Sequence, residues 1–120
     1  VDITFVPHLL PMTRGMETTI YAQLTKPLRY TDIHNTIIDY YSDCKFIRIP
    51  DKGTFPDTRS VRGTNYCDIG FVVDKAKNRL IIMSVIDNLV KGAAGQAVQN
   101  MNLMLGLEEE TGLNHPPFPV

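Results

Sequence analysis

The chain has 120 residues, of which 43% are apolar, and carries 12 basic against 13 acidic side chains for a formal net charge of −1. That composition suits one packed domain, and a domain near this size buries roughly two thirds of the surface its unfolded chain exposes. The balance leaves no basic stripe for nucleic acid, no run reaches the roughly 18 apolar residues of a membrane span, and no charged-then-apolar leader opens the chain, so the cytoplasm is the expected compartment.

In chain order, residues 2–6 alternate, with Ile3 and Phe5 on one side, and read as a strand that Pro7 interrupts. Pro11 and Gly15 place a bend before a second alternating run over 16–24. There Met16, Thr18, Ile20, Ala22 and Leu24 oppose Glu17, Thr19, Tyr21 and Gln23, the period-two pattern of a half-buried strand. Thr31 reads as an N-cap, with Asp32 placed to meet the helix dipole. Ile33, Ile37, Ile38 and Tyr41 then share one face of a helix reaching about residue 42. Phe46–Ile49 is a short strand ended by Pro50, and residues 50–60 read as a long irregular connection of the kind that often carries function.

Cys67, Ile69, Phe71 and Val73 alternate with Asp68, Gly70 and Val72. After a turn at residues 75–78, Arg79–Ile86 returns, so an antiparallel hairpin is expected. A helix follows from about Gly92 to Leu105, with Ala94, Ala97, Val98, Met101 and Leu105 as its apolar stripe and Gly106 at its end. Glu108-Glu109-Glu110 reads as a solvated run, and the proline-rich residues 115–120 exclude regular structure. The order β-β-α-β-β-β-α implies an α+β fold: a largely antiparallel mixed sheet with helices on one face. Cys44 and Cys67 read as reduced thiols. The three histidines are too scattered for a metal-ligand pattern, so no metal is expected. The glycines make no G-x-G-x-x-G, so no dinucleotide-binding turn lies within these 120 residues.

Four ordered motifs stand out: residues 5–15 (FVPHLLPMTRG), 61–67 (VRGTNYC), 87–101 (DNLVKGAAGQAVQNM) and 101–107 (MNLMLGL). Together they resemble the semialdehyde dehydrogenases that reduce acyl phosphates, and within them the N-acetyl-gamma-glutamyl-phosphate reductase family of arginine biosynthesis. The resemblance implies a glyceraldehyde-3-phosphate-dehydrogenase-like C-terminal fold. It also implies that residues 1–120 are one domain, the C-terminal catalytic and dimerisation portion of a two-domain, NADP-dependent enzyme, inactive alone. The nucleophilic cysteine is then expected upstream of Val1, with no catalytic residue in this chain. The expected assembly is a homo-oligomer formed through the sheet.

The acyl-phosphate substrate nominates anion-binding residues. Arg14 and Arg62 are candidates because guanidinium grips phosphate or carboxylate bidentately; against that stands the ordinary solvated arginine of a bend. Asn65 is placed to orient a substrate amide or carboxylate. His8 is either a pocket residue facing an anionic substrate or a loop histidine bonded to backbone. The resemblance carries the cofactor-binding role to Asn88 and Gln96, near the nicotinamide end of NADP; each reads equally as a turn or surface residue. Two rivals remain open here: aspartate-semialdehyde dehydrogenase, which shares the Asp-Asn-Leu-x-Lys-Gly-Ala-Ala start, and a non-catalytic α+β interaction module.

Overall fold

The computed structural model describes residues 2–117. Four strands form one mixed sheet in the order β1-β4-β3-β2, where β1 is Met16–Gln23, β2 Ile47–Arg48, β3 Cys67–Asp74 and β4 Arg79–Ile86. β4 runs antiparallel to both neighbours over eight residue pairs each, while β2 is parallel to β3 over only two. Helix α1 spans Tyr30–Tyr40, and α2 is one turn, Thr58–Val61. A π-helical turn at Val90–Ala94 runs straight into α3, Gly95–Met104. This is the α+β fold expected, with the β3–β4 hairpin where the alternation placed it.

Register assigns the faces, because paired residues in neighbouring strands point the same way. One face carries Met16, Thr18 and Ile20 of β1, Ile82, Ser84 and Ile86 of β4, and Cys67, Ile69 and Phe71 of β3. The start of α1 and the π-helical turn before α3 lie against its β3 and β4 part, while Met16, Thr18 and Ile20 stay exposed. Tyr30 at the start of α1 stacks on Phe71 at 4.7 Å between centroids, and Gly92 packs on the tip of Ile86. The opposite face carries Tyr21, Met83, Ile81, Val85 and Asp68 and receives α2 near β4. Val61 and Val85 are completely buried. Arg48 forks onto Asp68 at 2.6 and 2.9 Å and reaches the Ser60 carbonyl, tying β2, β3 and α2 together.

Five local expectations are corrected. Residues 2–6 form no strand: Ile3 and Phe5 stand 81% exposed, because the described sheet offers this alternating segment no partner. The N-cap of α1 is Arg29, not Thr31. Asp32 reaches back to the Arg29 backbone N–H, and the pair closes with a guanidinium–carboxylate contact at 2.7 Å. The 50–60 connection contains α2, capped by the Asp57 side chain.

The stripe assigned to α3 is on the wrong side. Gly95, Gln99 and Asn102 are buried, while Ala94, Ala97, Met101 and Leu105 are exposed. The cause is a polar network: Asn102 donates to the Glu109 and Thr111 carbonyls, and Gln99 to the Glu109 carboxylate. Glu109 is accordingly half-buried rather than part of a solvated run. Both thiols are free, Cys67 buried and Cys44 exposed. The tail is irregular through Pro117; residues 118–120 lie outside the described residues.

Candidate functional site

The end of β4 is the organising point. Asp87 follows the last strand residue and is fully buried. Its Oδ1 accepts the backbone N–H groups of Leu89 and Val90 at 2.8 and 3.0 Å, which caps the incoming helical turn. Its Oδ2 accepts the Gly63 N–H at 2.7 Å, and the Arg14 guanidinium lies 3.0–3.1 Å from both oxygens. Burial pushes the Asp87 carboxyl up, but the N–H donors of Gly63, Leu89 and Val90 together with Arg14 outweigh it and hold it below the usual carboxylate range. Next to it, Asn88 Oδ1 accepts the Gly15 N–H at 2.8 Å. Gly15 has φ 115°, a conformation side chains disfavour, so the bend before β1 needs a glycine there.

A second network lies alongside. Gln99 Oε1 accepts Asn65 Nδ2 at 2.8 Å and Lys91 Nζ at 2.7 Å. Asn65 is fully buried, and its Oδ1, which has no hydrogen-bond partner, abuts Gly95. A methyl at Gly95 would press into that oxygen and lie 2.7–2.9 Å from Val90. The glycine therefore lets α3 approach the residue 63–65 turn. Burial pulls Lys91 below the usual lysine range, with Cys67, Glu109 and Cys44 partly offsetting it. The ammonium sits 5.4 Å from the centre of the Phe46 ring.

The structure thus gathers Arg14, Arg62, Asn65, Asn88 and Gln96 around one end of the sheet. Arg14 is committed to Asp87. Arg62, the residue closing α2, is half-buried, and its side chain makes no hydrogen bond; its Nε is a buried donor without a partner. Gln96 is half-buried and donates to Asn100 at 2.9 Å. His8 stands apart on an exposed segment, its Nδ1 3.1 Å from the Val6 carbonyl oxygen. Sequence reasoning passed over Asp87, Lys91, Gln99 and Glu109. An aspartate between a strand and a helix start is itself a capping signal, whereas nothing local marks the other three.

The mixed sheet with helices packed on it, its last strand turning through a buried aspartate into a small-residue helix, is an α+β domain of the semialdehyde dehydrogenase dimerisation type. Crystallised aspartate semialdehyde dehydrogenase II from Vibrio cholerae superimposes with TM-score 0.62 over 80% of this chain and 28% of that one, at 22% identity, which speaks to the fold. Residues 1–88 match the family described as semialdehyde dehydrogenase, dimerisation domain, and the chain belongs to it.

Among its curated relatives are N-acetyl-gamma-glutamyl-phosphate reductases. The one from Desulforapulum autotrophicum is 58% identical over 113 residues, 94% of this chain and 33% of that protein. Those from Staphylococcus saprophyticus and Bacillus amyloliquefaciens are each 55% identical, over 98% and 92% of this chain and 34% and 32% of theirs. The chain spans about a third of the length of the relatives it matches.

Proposed function

We propose that this chain is the C-terminal domain of a two-domain cytoplasmic enzyme, an NADPH-dependent reductase converting N-acetyl-gamma-glutamyl phosphate to N-acetylglutamate semialdehyde. One observation carries the reading beyond the identity to such reductases. Three of the motifs behind the resemblance, the 12–15 bend, the 62–65 turn and the 87–96 helix entry, are bonded to one another through Asp87 and Asn88. A purely structural module has no need to converge an unbonded arginine and an unspent amide donor there.

Within that enzyme the nucleophilic thiolate comes from the other domain, and NADP, when bound, supplies the hydride. Arg62, with a buried donor lacking a partner, grips the anionic substrate. Asn65 and its amide partner Gln99 form the wall behind it. Arg14 acts as a positioning residue, orienting Asp87 and with it both loops. Asn88 accepts from Gly15 through Oδ1, and its Nδ2 makes no hydrogen bond, which fits an amide donor turned toward the nicotinamide end of the cofactor. Gln96, half-buried at the helix entry, supports the same edge. His8, exposed on its segment, completes the substrate side where that segment meets the other domain.

The family is described as a dimerisation domain, and we assign that role to the sheet. On the face opposite α1 and α3, Tyr21 is 62% exposed and shares its surface with Thr19, Ile81 and Met83. We assign the homodimer contact to this β1–β4 surface, since exposed apolar strands usually mark a contact.

The test is a chimaera in which this chain replaces the C-terminal third of the Staphylococcus saprophyticus reductase. It is expected to reduce N-acetyl-gamma-glutamyl phosphate with NADPH and to leave aspartyl phosphate untouched. A folded, dimeric chimaera active only on aspartyl phosphate, or on neither, overturns the assignment.

A further inference from the structure

β3 is paired on one side along its whole length and on the other along only two residues, and the unpaired remainder is built into a cleft. β2 meets Cys67 and Asp68 and stops. Cys67 donates its N–H to the Phe46 carbonyl at 2.8 Å, so its backbone polar groups point toward β2. A strand repeats its direction every second residue. The Arg48↔Asp68 pairing takes the Ile69 N–H, so the Ile69 C=O and both backbone polar groups of Phe71 and Val73 are left pointing past the end of β2, while Gly70 and Val72 serve the ladder with β4. Among the described residues no backbone hydrogen bond joins the 49–56 segment to this stretch. Buried or half-buried edge groups without a ladder partner are a template for another strand.

The cleft of about 650 Å³ that contains this edge is flanked on one side by the start of α1 and on the other by the 50–55 loop. The flanks are fixed by packing. Tyr30 is stacked on Phe71, and Pro56 presses on Gly70 so closely that an added methyl there would sit 2.5 Å from the proline ring. Its charged lining is wholly basic, from Arg29, Lys52 and Lys75, although the chain as a whole is slightly acidic. Arg29 is already engaged with Asp32, whereas Lys52 leans over the Tyr30 ring at 5.2 Å. This is also a different place from the Asp87 cluster. Phe71 and Val73 lie four and six residues along β3 from Cys67, the strand end beside Ile86 and Asp87, or roughly 13–20 Å at strand rise.

We propose that this cleft is a strand-addition site for an extended acidic segment of another polypeptide. The unpaired edge supplies the main-chain hydrogen bonds, the Tyr30–Phe71 wall takes a side chain on one flank, and Lys52 with Lys75 selects carboxylates. Two segments within these 120 residues are poor occupants. Edge-to-edge pairing of two copies through β3 brings one basic cleft against another. The Glu108–Glu110 run is turned and tied through Glu109 to Gln99, so it is not available as a strand. The inference does not depend on the reductase assignment.

The experiment is fluorescence anisotropy on the 120-residue chain with a fluorescein-labelled hexapeptide alternating glutamate and valine. Saturable binding is expected, weakened at least about tenfold when Lys52→Glu and Lys75→Glu are combined, since charge-assisted hydrogen bonds are lost. Val73→Pro removes an edge N–H without touching the β4 ladder and is expected to weaken binding by a similar factor. Should that variant fail to fold, a peptide N-methylated at alternate amides asks the same question of the unchanged protein and is expected to bind at least about tenfold more weakly. Equal binding by a lysine–valine peptide, undiminished binding by the N-methylated peptide, or no saturation overturns the proposal. Displacement by inorganic phosphate without sensitivity to N-methylation means a small-anion site and overturns it as well. So does Val73→Pro dissolving a dimer while leaving peptide affinity unchanged, which would make a second copy the occupant.

Discussion

Replacing Asp87 with alanine removes the acceptor for three backbone N–H groups and one guanidinium at a fully buried position. A hydrogen bond to a charged group contributes about 1.5–3 kcal/mol, but the four share one carboxylate and are not additive. The better guide is the loss of one partner from a buried ion pair, about 3–5 kcal/mol. Arg14 supports that choice, because its side chain is only 15% exposed and keeps its charge after the substitution. Domains of this kind have total stabilities of about 5–15 kcal/mol, so Asp87→Ala should bring the fold close to its limit. With a urea m-value of about 1.5 kcal/mol/M, the denaturation midpoint should fall by about 2–3 M. Arg14→Ala leaves Asp87 its N–H donors and should cost less, and the double variant should cost less than the sum of the two, because neither charge is then stranded. A midpoint for Asp87→Ala within about 0.5 M of the unmodified chain, or additivity in the double variant, refutes the reasoning.

The same carboxylate sets a pH dependence. Its folded pKa lies below the unfolded value, so its stabilisation is present above about pH 4 and is lost as pH falls through the folded pKa; Asp87→Asn should flatten the acid limb of urea midpoints measured between pH 6 and 2. Lys91 has the opposite consequence. With its folded pKa lowered, the unfolded chain holds the proton more tightly, so stability should rise as pH climbs toward about 10.4, and Lys91→Met should abolish that rise. Gly95→Ala gains helix propensity but drives a methyl into Asn65 and Val90, so a net loss of about 1–2 kcal/mol by urea titration is expected, and a gain would contradict the close approach. In the chimaeric reductase, Arg62→Ala should lower kcat/KM for the acyl phosphate about 10- to 100-fold with the KM for NADPH unchanged, a wild-type value removing Arg62 from the site. Tyr21→Asp, on an exposed strand position, should shift sedimentation equilibrium from dimer to monomer while the circular dichroism spectrum stays unchanged.

The elements legible in the residue pattern are those whose surroundings are supplied by near neighbours in the chain. β3 and β4 form a hairpin across a four-residue turn, and their alternation needed only each other to become a sheet. Helix α1 followed from its apolar spacing, although its first turn went to Arg29 because a reciprocal contact with Asp32 outcompeted the threonine cap. The ordered motifs likewise carried the family, since they are strings of particular residues whose spacing survives without any knowledge of what they touch.

Tertiary structure decided the rest, and always through partners distant in sequence. Residues 2–6 alternate as a strand should, yet a strand exists only where a neighbour accepts its hydrogen bonds, and the described chain provides none. α3 has an apolar stripe that periodicity assigns to the core, but a helix turns its polar side inward when buried amides find partners. Gln99 meets Asn65 from 34 residues away, and Asn102 meets the carbonyls beyond the helix end. Arg14 and Asp87 are separated by 73 positions, so no local pattern distinguishes this arginine, paired inside the fold, from Arg62, whose side chain makes no hydrogen bond. Hydrophobic alternation and motif spacing are properties of a segment, whereas the satisfaction of a buried charge or amide is a property of the packed whole.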